Sequence, residues 1–75
     1  MPHMTYGDRA VGLSFNPGAD KNVTWCKEGY SALIDQMNLL RESTDSEEQK
    51  RLASIAITEA QTAQMWAVKA ITWKD

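Results

Sequence analysis

Lys21, Thr24 and Lys27 recur at three-residue spacing, which on a helix gathers two cations and a hydroxyl on one face. Asp20 stands ahead of them where an N-cap belongs, so that face lies beside the unpaired amides of a helix N-terminus. Such a cluster suits a small anion, although a merely solvated face would use the same residues. Arg51 falls in the first turns of a second helix, where a cation opposes the helix dipole. A ligand role would explain it, and so would pairing with Glu47 one turn earlier. Tyr6 and Phe15, nearer the N-terminus, could stack on a planar base, a contact worth about 1–3 kcal/mol; Phe15 could equally plug the gap between helices. Gly29 interrupts the first helix at a cost of about 1 kcal/mol relative to alanine, so a kink, close packing or a ligand should use its missing side chain.

Nothing in the chain reads as catalytic. The serines have no histidine beside them, Cys26 has no base at a useful spacing, and no glycine-rich phosphate loop precedes a helix. Asp35, Glu28 and Glu59 stand singly on helix faces and read as solvated charges. His3 and Cys26 are each the only residue of their type, so a His/Cys metal site lacks a second ligand of either kind and no disulfide can close within the chain. A non-enzyme without metal or cofactor is expected.

Size and charge narrow the class further. A core of 75 residues rarely supplies more than about 3–5 kcal/mol without a staple, and by elimination the staple here is another copy of the chain. The net charge of -2 conceals a cluster of Glu42, Asp45, Glu47 and Glu48; outside residues 42–48 the count is eight basic to six acidic. That field is too weak for DNA or RNA, which is met by a clustered basic face. No stretch approaches the roughly 20 apolar residues of a membrane span, and no signal peptide is legible, so a cytosolic protein is expected.

The elements that must position these residues follow from periodicity. Gly7, Gly12 and the run Phe15-Asn16-Pro17-Gly18 mark residues 1–20 as an irregular arm, with a type II turn at Pro17-Gly18. Val23, Cys26, Tyr30, Leu33, Met37 and Leu40 then alternate steps of three and four, predicting a helix over about 21–41. Ser43 to Ser46 form a short connection, with Asp45 and Glu48 in a box-like relation. A second helix over about 46–73 carries Ala53, Ala56, Ala60, Ala63, Ala67 and Ala70. The expected fold is all-α: a two-helix antiparallel hairpin spanning 21–75, with the large stripe facing the alanine stripe.

Such a seam leaves apolar surface over. Leu52, Ile55, Trp66 and Trp73 flank the alanines on one side; Ile57, Gln64, Val68 and Ile71 flank them on the other. The arm, through Val11, Leu13 and Phe15, can cover one flank, and symmetry-related hairpins must cover the other. With Val23 opposite Ala70, Arg51 lies about fifteen residues along the axis from Lys27, or roughly 22 Å. A site using both must therefore be built between protomers.

The string RLASIAITEAQTAQMWAVKAITWK, with GLSFNP before the first helix and Lys27 within it, resembles the phage-encoded family of anti-CBASS cyclic-nucleotide sponges, related in fold to Thoeris anti-defence sponges. The similarity runs from about Val11 onward. It implies a homohexamer that binds cyclic dinucleotides, and in some members cyclic trinucleotides, without cleaving them, and so blunts antiphage immunity in the cytoplasm of an infected bacterial host. By that resemblance Phe15 or Tyr6 is the stacking residue, Lys27 or Lys21 the phosphate partner, Thr24 a polar contact, and Arg51 the cation from the second helix. The competing expectation is an adaptor hairpin that binds a host protein through exposed tryptophans.

Overall fold

The computed structural model describes residues 3–75; Met1 and Pro2 of the expected arm lie outside the described residues. The described residues form three helices, α1 (Tyr6–Val11), α2 (Lys21–Ser43) and α3 (Glu47–Thr72). The long pair matches the expected hairpin closely. The N-terminal segment does not remain irregular, because it carries a helix of its own. Thr5 caps α1 by accepting from the Asp8 amide, and the Asp8 carboxylate accepts from the Thr5 amide, a reciprocal capping box. At the other end Gly12, at φ 62°, lets its own N–H reach Arg9 O and the Leu13 N–H reach Asp8 O, the paired closure that stops a helix.

Gly7 serves a different purpose from the turn expected of it. It lies inside α1, where an added Cβ would sit 2.2 Å from the Ser31 carbonyl oxygen of α2. The two backbones meet there because glycine has no side chain. The Gly7 amide donates to Asp35 Oδ1 at 2.7 Å, and Ser31 Oγ donates to Asp8 Oδ1 at 2.6 Å. Asp35 is thus a tether for α1 and not the solvated charge expected. The Ser31 hydroxyl and the Thr5 amide hold the Asp8 carboxyl below its ordinary value.

Asp20 caps α2, its carboxylate accepting from the Asn22 amide, as the sequence predicts. Pro17-Gly18 does form a turn, with the Ala19 amide donating to Asn16 O at 3.0 Å. The left-handed residue is Ala19, at φ 50°, and not Gly18, so this is not the type II turn expected. At the connection Ser46 caps α3 by accepting from the Gln49 amide, replacing the Asp45–Glu48 relation read from sequence.

The seam is rotated from its expected line. The core is Val11, Ile34 and Ile57, with Leu13, Tyr30, Met37 and Ala60 packed around it, and Ile34 is fully buried. Leu33, placed in the seam by periodicity, is exposed, as are Ala63 and Ala70. The reason is α1: α2 is contacted from two sides, so its buried face points between α1 and α3. The arm covers the Ile57 flank of α3, where Gln61 Nε2 also donates to Ala10 O at 3.4 Å. Leu52, Ile55, Met65, Trp66 and Ile71 remain exposed on the rest of that helix, and Trp73 just beyond it. The molecule measures 46 × 32 × 12 Å, its least dimension close to the width of one helix with its side chains, about 10–12 Å.

Candidate ligand site at the open end of the hairpin

The residues expected to do chemistry separate into two groups at opposite ends of α2. Arg41 Nη1 donates to Ser54 Oγ at 3.2 Å, setting the register at the connection end. Tyr6 belongs there, half exposed, with the Arg41 guanidinium 5.2 Å from its ring centre. Arg51 lies one turn before Ser54 on α3. Its partner is Glu48, not Glu47: Nε and Nη2 donate to the two carboxylate oxygens at 2.8 and 2.6 Å. The shared fork lowers the Glu48 pKa and raises that of Arg51. Glu47 is taken by Lys50.

Phe15, Lys21, Thr24 and Lys27 gather at the other, open end. There a recess of 500 Å³ is lined by Phe15, Asn16, Lys27, Val68, Thr72 and Lys74 among others. Phe15 is 72% exposed, so it does not plug the hairpin. Its backbone is nonetheless held firmly. The Phe15 amide donates to Gly12 O at 2.9 Å, and its carbonyl accepts from Lys27 Nζ at 2.5 Å. Asn16 continues the lacing: Nδ2 donates to Asp20 O and to Thr24 Oγ1, both at 2.9 Å, and Oδ1 accepts from the Asp20 amide.

Lys27 is not on the exposed cationic face that its spacing suggests. It is 5% exposed. Its ammonium donates to Gly12 O at 2.9 Å as well as to Phe15 O, and lies 5.5 Å from the Phe15 ring centre. Lys21 is exposed at the first residue of α2. The sequence reading missed Lys74, which lines the recess from beyond α3, and Asn16, whose side chain joins the loop to α2. Asn16 carried a signal, since its amide can both donate and accept in a turn. Lys74 carried none beyond being a cation in the last residues.

Gly29 interrupts nothing: α2 runs unbroken through it, and no heavy atom lies within 4 Å of the place its Cβ would take. Neither a kink nor close packing within the chain explains it. It borders a shallow apolar groove of 510 Å³ with Trp25, Cys26, Tyr30, Leu33 and Ile71. Among the described residues no group of three His, Cys, Asp or Glu side chains could hold a metal, and no helix is long and apolar enough to cross a membrane.

The described residues thus form an all-helical hairpin domain with a capped N-terminal helix and an exposed aromatic beside its open-end recess. The profile of the Acb2/Tad1 hairpin domain family matches residues 8–72. The chain therefore belongs to that family, the anti-CBASS and Thoeris anti-defence sponges. No curated protein and no solved structure matches it.

Proposed function

We propose that this protein is a non-catalytic sponge that binds cyclic dinucleotides, and cyclic trinucleotides where a second kind of site allows, and so lowers the messenger that would trigger CBASS-type antiphage defence in the bacterial cytoplasm. The observation that carries this reading is the family match over residues 8–72, a family known for binding cyclic nucleotides. The open-end recess supports it: Phe15 offers a π face and Lys74 a positive charge for a phosphate, with Lys21 exposed just outside the lining beside Asp20, which itself borders the recess. Thr24, outside the lining, holds the loop through the Asn16 side chain and keeps its hydroxyl proton for a ligand atom. Tyr6 and Arg51 stand at the far end of the same chain, so their part in the site is as the contribution of a neighbouring protomer.

The working form is a homo-oligomer, with six copies as the expected assembly. A slab one helix thick cannot enclose its own apolar surface, and Trp25, Leu33, Leu39, Leu52, Met65 and Trp66 are all exposed. Gly29, whose missing Cβ would meet no atom of its own chain, is where another protomer's backbone or a ligand can approach closely.

Native mass spectrometry of the protein, alone and with a panel of cyclic di- and trinucleotides, tests the reading. A multi-chain assembly that carries intact nucleotide in whole-number ratio is expected, with the nucleotide recovered unchanged after denaturation. An assembly that binds none of the panel would refute the sponge reading. It would favour the adaptor alternative, for which Trp66 and Trp73, both exposed and with the Lys69 ammonium 5.3 and 6.0 Å from their ring centres, are the natural contact.

A further inference from the structure

We propose that Lys27 is a positioning residue for the Phe15 stacking platform, and that it acts on the ligand through the loop 12–16 and not by touching a phosphate. This rests on the sponge reading above, within which it assigns to Lys27 a role different from that of a phosphate contact.

Three observations converge. First, the Lys27 side chain is buried, and two of its three N–H donors end on carbonyl oxygens of the loop, Gly12 O and Phe15 O. Second, Gly12 O is shared: it also accepts from the Phe15 amide, so the ammonium and the peptide of the ligand-facing residue close on the same atom. Third, the residue so fixed bears one of the most exposed large apolar side chains in the molecule. A chain that merely needed to end α1 would not need a buried cation beneath a ring that covers little. A buried ammonium with only backbone oxygens and an aromatic face as partners is sensible where the loop must hold one shape before the ligand arrives, since ordering it beforehand removes that entropy loss from binding. Asn16, joined to Asp20 and Thr24, fixes the next residue in the same way.

The proposal separates from direct phosphate contact by coupling and by salt. In a double-mutant cycle on cyclic-dinucleotide affinity, Phe15→Ala should weaken binding roughly ten-fold, within the range of one stacked base. Lys27→Met should cause a similar loss, and the double variant should lose little more than either, because both remove one ordered ring. The salt dependence of affinity should be the same in wild type and Lys27→Met, since no screened charge–phosphate contact is lost. Gly12→Ala is a second handle that leaves the cation in place. It strains the left-handed residue and should also weaken binding, and it applies should Lys27→Met fail to fold. Additive losses with a flatter salt dependence in Lys27→Met, or undiminished affinity in Gly12→Ala, would overturn the proposal. A wild-type chain that binds none of the nucleotides would overturn it too. That failure belongs to the sponge reading, whereas additive losses in a binding protein belong to Lys27 alone.

Discussion

The two flanks of α3 look alike in sequence and fare differently in the fold. Ile57 packs against Val11 of α1 and Ile34 of α2 and Gln64 is buried farther along the same side, which opens only at Ile71, while Leu52, Ile55, Met65, Trp66 and Trp73 are exposed. What separates them is a six-residue helix that docks on one side only. The covered flank carries the stability of the single chain. The bare flank adds little to the stability of the single chain, and exposed large apolar residues in this number are what a contact with another molecule would use. The sharpest way to break the comparison is to truncate one residue from each side. Ile34→Ala, which hollows the core shared by α1, α2 and α3, should lose about 2–5 kcal/mol in a urea titration. Leu52→Ala should change the unfolding of the dilute chain by no more than about 0.5 kcal/mol. A loss for Leu52→Ala that grows with protein concentration would identify the bare flank as an assembly contact. An equal loss in both variants at high dilution would erase the distinction.

The covered flank depends on α1 staying docked, so the next largest effect should come from its closest approach. Gly7→Ala places a methyl against the Ser31 carbonyl and Asp35 Oδ1, both fixed by α2, so α1 must move away. The expected loss is about 1–3 kcal/mol. Because Val11 leaves with the helix, amide exchange should rise in residues 6–11 and around Ile57 while α2 and α3 keep their protection elsewhere. Unchanged exchange in α1 would mean that the helix docks with more freedom than the contact allows.

How much of this could be read beforehand follows from where the information lies. The spans of α2 and α3, the Asp20 cap and the covering of one flank by Val11 and Leu13 were legible from periodicity, capping and the surplus of apolar surface, whereas Phe15, expected to cover that flank with them, is exposed. α1 was missed although Thr5-x-x-Asp8 is a capping-box signature, because Gly7 beside it reads as a turn unless the Ser31 backbone is known to lie against it. The seam was misplaced by about one residue because the period of a helix does not reveal contact from two sides. Lys27 is the hardest case for sequence. Its partners are carbonyls twelve and fifteen residues away, and hydropathy and spacing alike place a lysine at the surface. Spacing groups Lys21, Thr24 and Lys27 on one face, and only the resemblance adds Phe15 or Tyr6 to them; that Phe15, Lys27 and Lys74 border one recess depends on how the loop and the end of α3 meet, which local spacing does not encode.

A smaller effect should appear with acid. The hydrogen bonds from Ser31 and Thr5 depress the Asp8 pKa below its ordinary value of 3.8. Asp8 therefore contributes stability that is fully present above that value and is lost as the pH falls through its folded pKa. α1 docking should be constant from neutral pH until about the ordinary value and weaken below it. Asp8→Asn should remove that acid-dependent component, at the expense of weaker docking at neutral pH. Identical acid profiles for the two proteins would mean that other carboxylates control the transition.

The smallest effect on the fold should come from Arg51, and there the comparison of flanks becomes one of stability with binding. Arg51 and Glu48 form a well-aligned fork on an exposed face, a setting in which ion pairs contribute little. Removing the arginine also relieves a cation placed against the helix dipole and leaves Glu48 in the first turn, where the dipole favours it. These terms oppose one another, so Arg51→Ala should unfold within experimental error of the wild type in urea. If Arg51 is the cation that a neighbouring protomer lends to the open-end recess, the same variant should bind cyclic dinucleotides more weakly and with a flatter salt dependence. A residue dispensable for folding yet needed for binding would place the ligand between chains. Full affinity in Arg51→Ala would restrict the site to the cations of the open end, Lys21 and Lys74, and would make the Phe15 loop the principal determinant of recognition.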